Sequence, residues 1–343
     1  MHICIVAPQV TGLVKGGVRY QAIQTAKHLS NSKHKITLHN YWEPPEWPNV
    51  DIVHLFQANA TTLGMAEVLS DAEIPFVVSP VTYSTHSPSF VKTIRRIETL
   101  TNYITPAVRS DYARISKICR LSNHLLPNTT AEARLFQHGF EVPSSKITTV
   151  PNGVEERFEK ADPALFEEKY GLKDFILFVG NIGAERKNAL RLLKALSEIS
   201  TPSVIIGKIF NNDYARRCLT VAQKHEHIHL IGELDHESKL LASAYAACKL
   251  FILPGLFETP GIAALEAALA GANIAITKHG GTKDYFANHA IYVDPNSRSS
   301  IKKGIEEGIK MDKTNSLKQR IKNNFLWHHV AKQTIDVYEN LIT

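Results

Sequence analysis

Two glutamates, Glu258 and Glu266, stand eight positions apart in a segment whose local signals describe an anion site. Leu250 to Leu253 form an apolar run suited to a strand buried on both faces of a parallel sheet. The sequence then predicts a tight loop and a small-residue helix, with Thr259 as N-cap, Pro260 at the first helical position and Gly271 as the stop. The amides of Gly261 and Ile262 would sit at the positive end of that helix, where anions bind. Carboxylates beside an anion make chemical sense if each is aimed at neutral hydroxyls. A carboxylate only accepts, and it can take both donors of a vicinal diol on a sugar or ribose. The bare spacing would equally suit a loop acid followed by a helix-surface acid. The strand, capped loop, glycine and small-residue helix around it favour a site.

Two further loops share this logic. The first strand opens into Pro8–Gly17, and Gly16 and Gly17 would let backbone N–H groups approach a phosphate at the start of the helix Val18–Leu29. The loop is too long for the dinucleotide fingerprint G-x-G-x-x-G, and a plain surface turn is the alternative. In the second half, Phe178-Val-Gly180 leads through Asn181 to Arg186 and Lys187 just before a helix from Ala189. Cations at the C-terminal end of a strand can neutralise phosphate in the crevice where α/β sheets bind ligands. A solvated helix start is the competing reading.

These loops need a scaffold, and the chain supplies one. Strand candidates are Ile3–Ala7, Lys35–Leu38, Asp51–Leu55, Pro75–Ser79, Leu125–Pro127 and Lys146–Val150, followed by Phe175–Val179, Val204–Ile206, His229–Ile231, Leu250–Leu253, Asn273–Thr277 and Ile291–Val293. Helical stretches such as Val18–Leu29 and Thr62–Leu69 lie between them, so the chain reads as α/β with two doubly wound parallel sheets. Its 343 residues exceed a usual single core, and Pro151 and Gly153 mark a boundary after Val154.

Composition narrows the class. The chain is 44% hydrophobic and 21% charged, with a net charge of +6 and a pI near 9.0. That mild basic bias permits anionic substrates or an anionic membrane surface and does not call for nucleic acid. Cys4, Cys119, Cys218 and Cys248 are scattered, as in a reducing cytoplasm. The sequence shows no signal-peptide pattern, and no apolar run approaches the roughly 20 residues of a membrane span, so membrane contact would be peripheral. Residues 89–120 supply a candidate: Lys92, Arg95, Arg96, Arg109, Arg114, Lys117 and Arg120 are interleaved with apolar residues, as on a face that docks on anionic lipid. An ordinary surface helix is the alternative. The 16 histidines form no H-E-x-x-H motif, and no D-x-D triplet is present, so no essential metal is expected.

Taken in order, these motifs resemble the retaining glycosyltransferases of family 4, of GT-B architecture. The resemblance rests on Gly16-Gly17, Asp51-Ile-Val-His54, Val150-Pro-Asn-Gly-Val154, Gly180 through Lys187, Gly232, Glu258-x7-Glu266 with Gly261, Gly280-Gly281-Thr282, Val293-Asp-Pro295 and Trp327. It implies two Rossmann-like domains facing a central cleft. Residues 1–154 would bind the acceptor, residues 155–324 a nucleotide-sugar donor, and a last helix over 325–343 would cross back. Lys187 would hold the diphosphate with the Gly261 and Ile262 amides, Glu258 the sugar hydroxyls and Glu266 the ribose. Glu258 and Lys187 would carry catalysis, with Gly16, Gly17, Asn181 and Arg186 also facing the donor.

The implied activity is metal-independent transfer of a hexose, with retention, from a UDP- or GDP-sugar to a saccharide or lipid-linked acceptor in polysaccharide or glycoconjugate synthesis. No cofactor beyond the sugar donor is implied. The chain departs from the family at three places. Asn181 stands where arginine is usual, Pro80-Val81 where a histidine is usual (leaving His86 as a loose substitute), and Thr259-Pro260 replaces a small and an aromatic residue. Asn181 and the missing histidine motivate one alternative, a catalytically weak paralogue acting as a glycan-binding or partner subunit, and a nucleotide-sugar epimerase of the same fold is another.

Overall fold

The computed structural model describes residues 1–13, 16–30, 32–43, 47–101 and 111–342. The chain forms two compact units, one of Met1–Gly153 with Trp327–Thr343 and the other of Val154–Leu326. The division thus falls after 153 rather than 154, and the return begins at 327 rather than 325. The break comes at the close fit of Gly153 on the Trp327 ring, where a Cβ on residue 153 would lie 2.4 Å from the indole.

The first unit holds β1 (His2–Val6), β2 (Lys35–Leu38), β3 (Ile52–Phe56), β4 (Phe76–Ser79) and β5 (His124–Leu125), all parallel in the order β2-β1-β3-β4-β5. β3 and β4 are buried throughout, as expected of parallel strands covered on both faces. The expected strand over Lys146–Val150 is not formed. A 3-10 turn occupies Ser144–Lys146, Ile147 makes an isolated bridge to Leu125, and the Thr148 and Val150 N–H groups donate to the Leu125 and Pro127 carbonyls at 3.0 Å each. Pro151 lacks the N–H a continuing ladder would use.

The C-terminal helix, Trp327–Ile342, covers this sheet by burying Trp327, Val330, Ala331, Val337 and Tyr338. It also completes a polar cluster inside the core. His54 Nδ1 lies 2.6 Å from the Tyr338 hydroxyl and Nε2 lies 2.8 Å from Ser79 Oγ. Burial pushes His54 down to about 3, so the ring is neutral and needs both hydroxyl partners.

The second unit holds β6 (Ile176–Val179), β7 (Ser203–Ile206), β8 (Ile228–Gly232), β9 (Leu250–Leu253), β10 (Asn273–Thr277) and β11 (Ile291–Val293). All are parallel, in the order β11-β10-β9-β6-β7-β8. The chain builds outward from β6 through β7 to β8, then returns to the other side of β6 with β9. Strand order therefore reverses between β6 and β9, and in such sheets the crevice beyond their C-terminal ends is the ligand site. The loops leaving those two strands carry Asn181, Arg186 and Lys187 on one side and Glu258 on the other.

Candidate functional site

Four hydrogen bonds zip the two loops together at the β6/β9 reversal. The Leu256 N–H donates to the Arg186 carbonyl at 2.8 Å, and Arg186 Nη1 donates to the Phe257 carbonyl at 3.0 Å. Lys187 Nζ donates to Glu258 Oε1 at 2.8 Å, and Asn188 Nδ2 donates to the Pro254 carbonyl at 2.9 Å. Asn188 sits in the left-handed region (φ 59°) and also donates to the Pro295 carbonyl at 2.7 Å, so one buried amide fastens three loops. Asparagine tolerates this backbone better than most residues.

Glu258 is buried, and its Oε1 faces Lys187 at 2.8 Å and Arg186 Nη1 at 3.5 Å. Its backbone is held from the β10 side, where the Glu258 N–H donates to the His279 carbonyl at 3.1 Å. Gly280, at φ 100°, packs so closely that a Cβ there would lie 2.2 Å from the Glu258 carbonyl oxygen.

The helix bearing Glu266 starts later than the sequence suggested. It spans Ile262–Leu269 with Gly261 as N-cap, not Thr259, and Pro260 lies before it rather than at its first position. The cause is the backbone of Gly261, whose φ of 87° breaks the helical path and is open to glycine at little cost. The first amides of the helix, including that of Ile262, have no carbonyl one turn back to receive them. Gly271, at φ 96°, ends the helix as the sequence predicted.

Glu266 is 2% exposed, and both its oxygens are engaged. His236 Nε2 meets Oε1 at 2.6 Å, and the Tyr245 hydroxyl donates to Oε2 at 2.8 Å. Burial opposes a charge on His236, but the Glu266 carboxylate against it outweighs that and carries the ring above its ordinary value. Burial, with Glu266 second, holds the Tyr245 hydroxyl protonated as a donor. Neither partner stood out in the sequence. Their signal was positional, since His236 follows the C-terminal end of β8, on the ligand side of the sheet.

The fold thus brings Arg186, Lys187, Glu258, Gly261, Ile262 and Glu266 to one end of the second sheet. Asn181 leaves the same end of β6 and is exposed. The Arg186 guanidinium donates to the Phe257 carbonyl, lies over the Phe257 ring at 5.0 Å and faces Glu258 Oε1 at 3.5 Å. Gly16 and Gly17 belong to the first unit, as N-cap and first residue of the helix Gly17–Leu29. His86 is exposed and packs on Phe90. In that unit the loop after β4 is fixed by buried Glu132, which accepts from the Thr82 N–H at 2.6 Å and the Asn128 N–H at 2.7 Å. Burial pushes Glu132 up to about 7 while those two donors pull it back.

Among the described residues, Glu155, His236 and Glu237 bring three ligand atoms within 4.8 Å of one another. Arg157 supplies positive charge there, with Nε 3.1 Å from Glu155 Oε2. In the basic stretch, Lys92, Arg95 and Arg96 all converge on Glu141, Arg114 pairs with Asp111 and Lys117 with Glu67. Arg109 lies outside the described residues. No helix among the described residues is long and apolar enough to cross a membrane.

Residues 164–326 match the family model "Glycosyl transferases group 1". An uncharacterized glycosyltransferase of Methanocaldococcus jannaschii is 25% identical over 58% of this chain, and the chain spans about half, 55%, of that relative's length. Among solved structures, a glycosyltransferase from Rickettsia africae superposes with a TM-score of 0.72 at 16% identity, covering 100% of this chain and 98% of that one. Anabaena HepE, solved with UDP-glucose, gives 0.74 at 13% identity, covering 99% and 100%. The match lies within the second unit, which is thus similar to the group 1 glycosyltransferases, and the two parallel-sheet units share their fold with these solved structures.

Proposed function

We propose that the protein is a retaining glycosyltransferase that moves a hexose from a UDP- or GDP-sugar to a saccharide or lipid-linked saccharide. The observation that carries this reading is the Lys187–Glu258 pair at the reversal of strand order, directly before the helix Ile262–Leu269 whose second turn carries Glu266. In the absence of donor, Lys187 neutralises Glu258. A diphosphate seated on the helix amides would draw Lys187 to itself and release Glu258 to accept from sugar hydroxyls. Glu266 would take the ribose diol. That HepE was solved with UDP-glucose on a similar fold supports a nucleotide-sugar donor here.

Breaking the sugar–phosphate bond concentrates negative charge on the leaving diphosphate. Lys187 and the oriented amides would stabilise that charge more in the transition state than in the ground state, which is what accelerates a reaction. The residues need no divalent ion for this step, because an ammonium and helix amides already supply the positive potential. The first unit would take the acceptor. Docking of 89–120 on anionic lipid is part of this reading, motivated by exposed Phe90 and Ile97 on its first helix; flotation with anionic vesicles tests it.

A panel of nucleotide sugars scored by thermal shift and slow donor hydrolysis tests the function. One UDP- or GDP-sugar should stabilise the protein and be hydrolysed, with Glu266→Ala weakening its binding. If no nucleotide sugar stabilises the wild type, the reading is wrong. Interconversion of free donor with no transfer would point to an epimerase instead.

A further inference from the structure

Glu266 has more fixed partners than a surface-facing sugar contact requires. A carboxylate offers about four lone-pair directions. His236 takes one on Oε1 and Tyr245 takes one on Oε2, which leaves one free direction on each oxygen. A ribose presents two neighbouring hydroxyl donors, as many as the directions left.

Both partners are themselves anchored. Tyr245 is fully buried in the helix Lys239–Ala247, and its ring meets Phe158 and Phe251 edge-on. The segment holding His236 is clamped by Arg157, whose Nη2 donates to the His236 carbonyl at 2.7 Å while its guanidinium lies 4.1 Å over the Phe158 ring. On the other edge of the imidazole, Nδ1 faces Glu237 Oε1 at 3.3 Å and Arg157 Nη2 at 3.4 Å. The neutral ring can accept from Arg157, and the protonated ring can donate to Glu237. In either state Nε2 remains directed at Glu266. The charged and titratable groups around this imidazole include Glu266, Glu237 and Arg157, a Glu155 carboxylate oxygen within 4.8 Å of a ring nitrogen, and Tyr245, which shares Glu266.

We propose that His236 and Tyr245 are positioning residues that make this a ribose-selective site, holding the Glu266 carboxylate in one plane so that 2′-deoxynucleotides are rejected. The proposal rests on Glu266 being the ribose acceptor. The physical ground is that a buried acceptor fixed for two hydroxyls has no replacement partner when one is missing. A site built this way discriminates far more strongly than a loose one. A carboxylate free to rotate would turn its remaining oxygen to water and lose that discrimination.

The test compares affinities of UDP, GDP and ADP with their 2′-deoxy counterparts, for wild type, His236→Ala, His236→Gln, Tyr245→Phe and Glu266→Ala. For the best-bound base, wild type should prefer the ribonucleotide by about 10–100-fold, the range of a hydrogen bond to a charged group. His236→Ala and Tyr245→Phe should each shrink that ratio to a few-fold. His236→Gln, whose amide can still donate to Oε1, should restore most of it. If wild type discriminates and both His236→Ala and Tyr245→Phe keep the full ratio, the positioning role is refuted while the ribose assignment stands. If wild type binds both sugars equally, or binds no nucleotide, the ribose assignment itself fails and takes the proposal with it.

Discussion

Lys187 Nζ and Glu258 Oε1 lie 2.8 Å apart, joining the loops that leave β6 and β9. The pair answers the problem of a carboxylate beside an anion site, because Glu258 carries its own counter-charge. Replacing Lys187 by Met should lower kcat by about 10²–10³-fold, the usual loss when one charge-stabilising donor is removed. It also leaves a buried carboxylate with Arg186 alone, at 3.5 Å, so the melting transition should fall by the equivalent of about 1–3 kcal/mol. Steady-state kinetics and calorimetry on one preparation check both.

Gly280 sits against the Glu258 carbonyl with no room for a side chain. Gly280→Ala should displace that carbonyl and disfavour the left-handed backbone, costing about 1–3 kcal/mol and most of the activity. Gly12, where a Cβ would meet nothing within 4 Å, provides the control substitution.

His236 gives the site a pH dependence whose sign follows from its partner. Its folded-state value is raised, so the imidazolium–Glu266 pair is complete below the ordinary value of 6.5 and is lost as pH rises through the raised value. Donor affinity should therefore weaken on the alkaline side of 6.5, because neutral His236 leaves Glu266 with its full charge beside the diphosphate. His236→Gln should flatten that limb. Binding titrations across pH 5.5–9 in both proteins decide it.

His54 works in the opposite sense. Its folded-state value is pushed down to about 3, so the unfolded chain binds a proton more readily between there and 6.5. Stability should be fully present above pH 6.5 and erode as pH falls through that window. Tyr338→Phe, which strands His54 Nδ1 in the core, should cost about 1–3 kcal/mol at neutral pH by chemical denaturation.

Glu132 fastens the loop after β4 through two backbone N–H groups. Glu132→Gln keeps the shape but sets an amide NH2 against one of those donors. Hydrogen exchange at the Thr82 amide should accelerate by about tenfold, the equivalent of losing a single net hydrogen bond.

Much of the scaffold was legible because apolar runs such as Leu250–Leu253 and Asn273–Thr277 are bounded by clear loop signals and lie wholly inside parallel sheets. Lys187 and Glu258 could be picked out by their place at strand ends. The helix start was misread because Thr259 and Pro260 have capping chemistry, whereas the actual start depends on a backbone angle only Gly261 takes easily. His236 and Tyr245 were hidden because they lie about 20–30 positions before Glu266, and only the order of strands in the sheet brings them to it. Lys146–Val150 shows the converse, a segment that bonds to Leu125 and Pro127 but lies beside a strand of two residues, too short to give it a regular ladder.

The helix Trp327–Ile342 closes a sheet whose strands all lie before residue 126. On the ribosome, Val154–Leu326 emerges as one continuous piece and can fold as soon as it clears the exit tunnel. The unit that begins the chain must wait for the last helix before Tyr338 reaches His54 and Trp327 seats on Gly153. Folding by domain usually proceeds from the N-terminus. Here Val154–Leu326, translated after the five strands of the first sheet, is the unit that can be finished first.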